Sequence, residues 1–307
     1  MGKIAVELED ALTRRMKHGA PGSASARILA QGDGWAVHDV LCTHGPEDRS
    51  FEEQHRNICI AVVAAGTFQY RSGGCCGFMA PGSLLLGNAG QSFECGHEYG
   101  AGDRCISFHY EPGYFESLAS GIGASAADLP FRRLRVPPLP ASSWLIAQAC
   151  AGLDGFAFLS WEELGVHVAA KAIQTLRDSP LAPQMPSRSL ARVTQAVRTI
   201  EQHPVAEHSL ASLAREAQLS SYHFLRLFER AVGVTPHRYV MRTRLREAAL
   251  RLMDSYRLPP SRVIDLALDC GFGDLSHFNR AFRGEFGCSP RAYRGKRSRL
   301  TVTAGSR

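Results

Sequence analysis

The residues best suited to chemistry lie in a segment rich in thiol and imidazole side chains. Cys95, His97 and Cys105 fall within eleven residues of the chain, and Cys75 and Cys76 lie on a glycine-flanked turn shortly before them. Thiolates and imidazole are ligands for zinc and copper(I). A small barrel would allow Cys75 or Cys76 to lie beside the other three side chains, although their spacing matches no standard zinc module. One hypothesis is therefore a site for zinc or another soft metal.

Three other interpretations of this segment stay open. Arg104, next to Cys105, would lower the pKa of the thiol and make it reactive towards oxidants or electrophiles. Alternatively, several of the cysteines would be small buried hydrophobic residues, which is common for free cysteine. The third interpretation is an organic effector inside the barrel, contacted by polar and aromatic side chains: His55, Arg56, Phe68 and Tyr70.

Short apolar runs between about residues 35 and 110 predict the strands that would position this segment. The runs Ile58–Val63, Thr67–Tyr70 and Ser83–Leu86 are separated by Gly, Pro, Asn and Ser, which favour turns. Strands this short and evenly spaced predict a small antiparallel barrel or sandwich.

A helix is predicted to begin near Ser160. Ser160 and Glu163 have the spacing of a capping box, in which each side chain satisfies a backbone donor of the other residue. The apolar stripe that follows either packs against its own domain or forms a dimer interface. Its members repeat every four positions: Leu164, Val168, Ala172 and Leu176.

Length and charge predict two different halves. The chain has 307 residues, which favours two domains over one core. Between Arg188 and Leu300 there are 20 Lys or Arg against 10 Asp or Glu, and 19 of these 20 are Arg, which suits phosphate or base contacts. No apolar run is long enough to cross a bilayer, and Met1–Asp10 lacks the pattern of a secretory signal. We therefore expect a cytoplasmic protein with no membrane partner and with reduced cysteines.

The basic half contains an internal repeat. Seven identities at a constant offset of 54 residues indicate a duplicated supersecondary unit. His223, Phe224, Arg226, Phe228, Gly233, Pro236 and Tyr239 recur as His277, Phe278, Arg280, Phe282, Gly287, Pro290 and Tyr293.

Each copy of the repeat predicts a helix, a turn and a second helix. Ser209 is the expected cap of the first helix in copy one, and Ser220 or Ser221 that of the second. Arg242–Asp254 predicts a connecting helix of about 20 Å, which would hold two reading helices roughly 34 Å apart, one turn of DNA. With the phenylalanines buried, the opposite helix faces would meet DNA. Those faces carry Tyr222, His223, Arg226 and Arg230 in copy one, and Ser276, His277, Arg280 and Arg283 in copy two.

This region, from about Leu190 to Arg294, resembles the DNA-binding domain of the AraC/XylS family of bacterial transcription regulators. The resemblance implies two helix-turn-helix units joined by a long helix. It also implies DNA contacts from Tyr222, Leu225 and Arg226, and from Leu275, Ser276, His277 and Arg280. The most specific residues are Gly271, Phe272, Ser276, His277, Phe278, Arg280, Phe282, Phe286, Gly287, Pro290, Tyr293 and Arg294.

The family resemblance also implies the organisation of the whole chain. We expect an α+β protein whose residues 1–180 form a cupin-like antiparallel β-barrel or sandwich with helices, serving effector sensing and dimerisation. Residues 181–189 would be a linker, and residues 190–298 the all-α tandem helix-turn-helix domain. The implied partners are double-stranded promoter DNA, RNA polymerase, a second copy of the chain and an unidentified effector, in a transcription activator.

Other functions explain less of the sequence. A cupin-type metalloenzyme with a DNA-binding tail is the main alternative, but the paired His-X-His of such enzymes is absent. A DNA-repair methyl acceptor would need a four-cysteine zinc site near its N-terminus, whereas Cys42 is the first cysteine. A purely structural DNA-binding protein would not need the N-terminal barrel. We therefore expect a regulator and not an enzyme.

Overall fold

The computed structural model describes residues 3–50, 52–124, 129, 131–177, 187–254 and 262–295. Most of the predicted linker, 181–189, lies outside these residues. The elements are, in chain order, α1 (Lys3–His18), β1 (Ala24–Gly32), β2 (Trp35–Cys42), β3 (Glu52–Gln54), β4 (Ile58–Gly66), β5 (Phe68–Ser72), β6 (Cys75–Met79), β7 (Leu84–Gly87), β8 (Ser92–Gly96), β9 (Asp103–Tyr110), α2 (Pro112–Gly121), β10 (Arg135–Val136), α3 (Pro140–Gly152), α4 (Trp161–Arg177), α5 (Ser187–Gln202), α6 (Leu210–Glu216), α7 (Ser221–Val232), α8 (Pro236–Asp254), α9 (Val263–Asp269) and α10 (Leu275–Phe286).

The N-terminal half is an antiparallel sandwich of two sheets, as predicted. The larger sheet has the order β1-β2-β9-β4-β7-β10, and the smaller one β3-β8-β5-β6. Strand β4 shows why its sequence is apolar throughout. Ile60 and Val62 belong to the core beneath the helices, whereas the alternate residues Cys59, Ala61 and Val63 belong to the core between the sheets. Because successive side chains point to opposite faces, a strand buried on both faces needs an unbroken apolar run.

The outer face of the larger sheet is covered by α1, α3 and α4. Helix α4 begins as predicted, with Ser160 and Glu163 bonded to each other through both backbone and side chain. Leu164, Val168 and Ala172 are fully buried in the core of their own domain. The stripe therefore packs against its own domain. The side chain of Leu176 lies outside the described part of the chain.

The C-terminal half contains the two predicted helix-turn-helix units, α6–α7 and α9–α10. Ser209 caps α6, and Ser220, not Ser221, caps α7 by accepting from the backbone N–H of His223. Asp274 caps α10 in the same way. These side chains satisfy backbone donors that a helix start leaves without partners. The second helix of each unit, α7 or α10, which we call its reading helix, therefore begins at a residue set by the local sequence.

The connecting helix α8 begins at Pro236, six residues before the predicted start at Arg242. Proline suits the first turn of a helix because its missing N–H would have no partner there. The Thr235 side chain accepts from the backbone N–H of Arg238 and caps this turn. The 19 residues of α8 correspond to about 28 Å at 1.5 Å per residue. Pro236 therefore starts a helix as well as following the end of one.

The two halves of the chain share apolar cores. Phe78 and Ala80 of the sandwich pack with the core of α5, α6 and α7. Ala147 and Ala151 of α3 pack with the core of α8, α9 and α10. Each helix-turn-helix unit is thus held by a different part of the N-terminal half. No helix of the described part of the chain is long and apolar enough to cross a membrane.

Candidate DNA-binding surface and cavity

Helix α7 presents the expected residues on its outer face. Phe224 and Phe228 are fully buried, which turns the opposite side of the helix outwards. His223, Arg226 and Arg230 are exposed. Tyr222 is 69% exposed, which is unusual for a large aromatic side chain, and it is not part of an apolar core. The predicted contact residue Leu225 is half-buried.

Helix α10 repeats this arrangement. Phe278 and Phe282 are fully buried, and Phe286 is mostly so. The outer face carries the predicted residues Ser276, His277, Arg280 and Arg283, all exposed, with Leu275 half-buried at the start of the helix. Both reading helices therefore display donors long enough to reach base edges or phosphates in a major groove.

Several arginines of the basic half hold the fold together instead of facing outwards. Arg244 of α8 donates to the carbonyl oxygens of Pro204, at 2.8 Å, and Gly271, at 2.7 Å. It thereby joins the segment after α5 to the turn of the second unit. Arg246 donates to both carboxylate oxygens of Glu201. Since a guanidinium has five donors, arginine can serve as an internal crosslink. The high arginine content therefore overstates the number of DNA contacts.

The sandwich contacts the C-terminal end of α7 through hydrogen bonds. Arg135 in β10 donates to the carbonyl oxygens of Ala231, at 2.6 Å, and Val232, at 3.3 Å. These carbonyls are the negative end of the helix dipole, where a cation is favourable. Burial lowers the pKa of Arg135 to about 10, so the guanidinium still carries its charge at neutral pH.

Helices α3 and α8 contact the C-terminal end of α10 through hydrogen bonds. Glu285 accepts from the hydroxyl of Ser143 and, at 3.1 Å, from Nε of Arg242. Arg242 also donates to the carbonyl oxygen of Pro138. Polar contacts with the N-terminal half therefore fix both reading helices near their C-terminal ends.

Gly233→Ala is expected to destabilise the protein more than Gly287→Ala, although the two glycines are equivalent in the repeat. Both end a reading helix with left-handed backbone, with φ of 90° and 71°, where a side chain costs about 1–2 kcal/mol. A Cβ atom at Gly233 would lie 2.5 Å from Cβ of Pro137, whereas at Gly287 no atom of the described residues would lie within 4 Å. Overpacking adds about 1–3 kcal/mol.

Urea unfolding of the two glycine variants measures this difference. Gly287→Ala is the matched control, because it carries the same backbone cost without the contact. Equal losses of stability would show that the sandwich does not hold the end of α7 in solution.

A cavity of about 350 Å³ lies within the sandwich. We call it the sandwich cavity. It reaches the surface at exposed residues such as Arg49 and Ser50. Its lining is rich in soft and titratable side chains: His38, Cys42, His44, Asp48, Glu53, His55, Cys59, Cys95, His97, Asp103, Cys105 and His109.

Strand pairing separates the candidate thiols into two groups. Cys95, His97 and Cys105 line the sandwich cavity, whereas Cys75 and Cys76 do not. Cys76 pairs with Arg71 on β5, and Cys95 pairs with the next residue, Tyr70. Successive residues of a strand point to opposite faces, so Cys76 and Cys95 lie on opposite faces of the sheet. Cys75 pairs with Ser72 and so lies on the same face as Cys95, but it is exposed and does not line the cavity. The structure therefore places neither Cys75 nor Cys76 with Cys95 in the cavity, contrary to the expectation.

The Arg104 side chain lies away from Cys105, contrary to the expectation of an activated thiol. It bonds to Asp39, at 2.9 and 3.0 Å, and to Glu7. Burial, followed by the nearby carboxylate of Asp103, raises the pKa of Cys105 well above its usual range. Burial also raises the pKa of Cys42, to about 12. These thiols are therefore neutral at physiological pH in the structure described.

Only part of the proposed organic-effector set lines the cavity. His55 and Phe68 do, whereas Tyr70 is buried behind them and Arg56 is exposed elsewhere. His55 bonds to the Tyr70 hydroxyl at 2.7 Å and stacks on Phe93. Burial lowers the pKa of His55 to about 4, so its ring is neutral at physiological pH.

The sequence interpretation missed other cavity residues, above all Cys42 and Asp103. Cys42 is directly paired with Asp103 across β2 and β9, although 60 residues lie between them in the chain. A local signal was available for Asp103, since Asp103 and Cys105 are spaced by two on β9 and so share a strand face.

Comparison with known proteins agrees with this geometry in the C-terminal half. Residues 213–296 match the family described as "Helix-turn-helix domain". The transcriptional activator RhaS of Klebsiella pneumoniae (strain 342) is 36% identical over 125 residues, which is 41% of this chain and 43% of that protein. RhaS of Citrobacter koseri is 38% identical over 110 residues, 36% of this chain and 38% of that protein. The C-terminal half therefore contains a helix-turn-helix domain, as its residues predicted, and this domain is similar to that part of the RhaS activators.

The matches to RhaS cover less than half of these relatives' length. Among solved structures, ToxT of Vibrio cholerae aligns with 86% of this chain and 98% of its own, with 12% identity and a TM-score of 0.34.

Proposed function

We propose that the protein is a sequence-specific DNA-binding transcription regulator of the AraC/XylS type. The observation that carries the proposal is the duplicated reading helix. In both copies an arginine, Arg226 or Arg280, is exposed at the same position opposite a buried phenylalanine face. Two such helices on one connecting helix suit successive major grooves of double-stranded promoter DNA.

The N-terminal half is proposed to control these helices. The sandwich cavity is the proposed effector site. Arg135 of β10 contacts α7, and Ser143 of α3 contacts Glu285 of α10, so the N-terminal half is physically linked to both reading helices. An effector that changes how the sandwich holds α7 or α10 would change their spacing on DNA. In this proposal the protein is a cytoplasmic transcription activator. Its protein partners are RNA polymerase and a second copy of the chain. A cupin-type enzyme is not favoured, because it would leave the tandem units without a role.

Binding of the full chain to the DNA upstream of its own gene tests the proposal. The dissociation constant should rise steeply with salt. Each phosphate contact contributes about −0.9 to the slope of the logarithm of the association constant against the logarithm of the salt concentration. Specific DNA should also bind more tightly than a scrambled duplex of the same length and composition.

Equal affinity for the specific and scrambled duplexes would contradict sequence-specific regulation. Binding that does not depend on salt would contradict the assigned basic surface. A set of duplexes that tiles the upstream region prevents a missed operator from being taken for absence of binding.

A further inference from the structure

Three buried side chains with ligand atoms converge where the two sheets meet. Cys42 ends β2, and Asp103 begins β9 directly opposite it, so their side chains share the face that lines the sandwich cavity. His97 follows β8 of the other sheet. The sulfur of Cys42, a ring nitrogen of His97 and a carboxylate oxygen of Asp103 all lie within 4.8 Å of one another.

We propose that Cys42, His97 and Asp103 bind a zinc-like divalent cation in the sandwich cavity. Thiolate, imidazole and carboxylate are the protein ligands of zinc, and three of them leave a fourth position open. The cation would be a ligand of the cavity assigned above as the effector site, and in that respect the inference rests on the proposed function.

Only small movements would convert the hydrogen-bonded cluster into a metal site. Ligand atoms about 2.0–2.3 Å from a tetrahedral zinc ion lie roughly 3.3–3.8 Å from one another. In the structure, Nε2 of His97 is 2.7 Å from Oδ1 of Asp103, and Sγ of Cys105 is 3.3 Å from Oδ2. The cation would replace the first of these hydrogen bonds as the ring proton of His97 moves from Nε2 to Nδ1, whereas Cys105 would keep donating to Asp103.

The charges of the cluster suit a doubly positive ion. Binding releases the thiol proton of Cys42 to solvent, so that its thiolate and the Asp103 carboxylate together offset the charge of the cation. Neutral pairing matters because Cys42, His97 and Asp103 are each less than 10% exposed, and an uncompensated buried charge is costly. His44, whose Nδ1 lies 3.3 Å from the Cys42 sulfur, lines the same cavity as the exposed residue Arg49. A hydrated ion can therefore approach from the surface.

Cobalt(II) titration of the full chain, stripped with a chelator and kept reduced, tests the site without DNA. Co²⁺ replaces zinc in tetrahedral sites and gives intense sulfur-to-metal charge-transfer absorption when a thiolate binds it. We expect this absorption to saturate at one equivalent and to be lost on adding one equivalent of Zn²⁺. Cys42→Ser should remove most of the absorption and weaken Zn²⁺ binding at least tenfold. The isosteric variant Asp103→Asn should weaken binding while retaining the absorption.

Cys75→Ser is the matched control, because Cys75 is an exposed thiol outside the cavity. It should leave both the absorption and the affinity unchanged. Wild-type protein without thiolate absorption would overturn the proposal, even if a variant fails to fold. Unchanged absorption and affinity in folded Cys42→Ser would also overturn it. Neither readout depends on DNA, so failure of the metal site and failure of the regulator proposal are distinguishable.

Discussion

Arg226→Ala and Arg280→Ala should each weaken binding to specific DNA by about 1–3 kcal/mol, or roughly 5- to 150-fold. Both side chains are exposed on the reading helices, opposite Phe224 or Phe282, so truncation removes donors without opening a core. An arginine that grips guanine makes two hydrogen bonds that alanine cannot replace. Fluorescence anisotropy at fixed salt, with specific and scrambled duplexes, measures the loss.

The same experiment separates base contacts from phosphate contacts. A base contact predicts a larger loss on specific than on scrambled DNA. A phosphate contact predicts equal losses and a salt slope smaller by about 1. Arg14→Ala is the matched control, because Arg14 is exposed on α1, far along the chain from the reading helices. Unchanged affinity in both reading-helix variants would refute the assigned surface.

Phe282→Ala is expected to lower the free energy of unfolding by about 3–5 kcal/mol. Phe282 is fully buried, and its ring centroid lies 5.6 Å from that of Phe278, 4.6 Å from that of Phe286 and 5.4 Å from that of Tyr293. Removing the ring leaves a cavity in the small core that orients α10. Urea unfolding followed by circular dichroism gives the free energy, and DNA binding should weaken with it.

Phe282→Leu is the control for this prediction. It keeps an apolar side chain in the same place and should cost distinctly less than the alanine variant, because more of the volume is retained. A loss below about 1 kcal/mol for Phe282→Ala would contradict full burial of the ring.

The helix-turn-helix units could be predicted because their determinants are local. A buried phenylalanine face, a capping residue and a terminal glycine all act within about one helix length. Ser209 and Ser220 cap helices in the structure, and Gly233 ends one. The connecting helix was predicted to start at Arg242 but starts at Pro236. This error has the same local origin, since a proline can occupy the first turn of a helix or follow the end of one.

The sandwich was predictable as a class, but its register was not. The short strands of the N-terminal half indicate antiparallel sheets, yet many pairings satisfy the same pattern. Shifting a pairing by one residue moves a side chain to the other face. That choice places Cys95 in the cavity and leaves Cys76 on the opposite face.

The thiol and imidazole segment itself, Cys95, His97 and Cys105, was identified from residue types and spacing. Only tertiary structure could add Cys42 and Asp103 to it, because their proximity depends on the pairing of β2 with β9. Tertiary structure also decided the role of Arg104. It is next to Cys105 in the chain, but the alternation of side chains along the strand turns it towards Asp39. Local sequence thus determined which helices and turns form and which residue types are available. Long-range strand pairing decided which of those residues meet in the cavity.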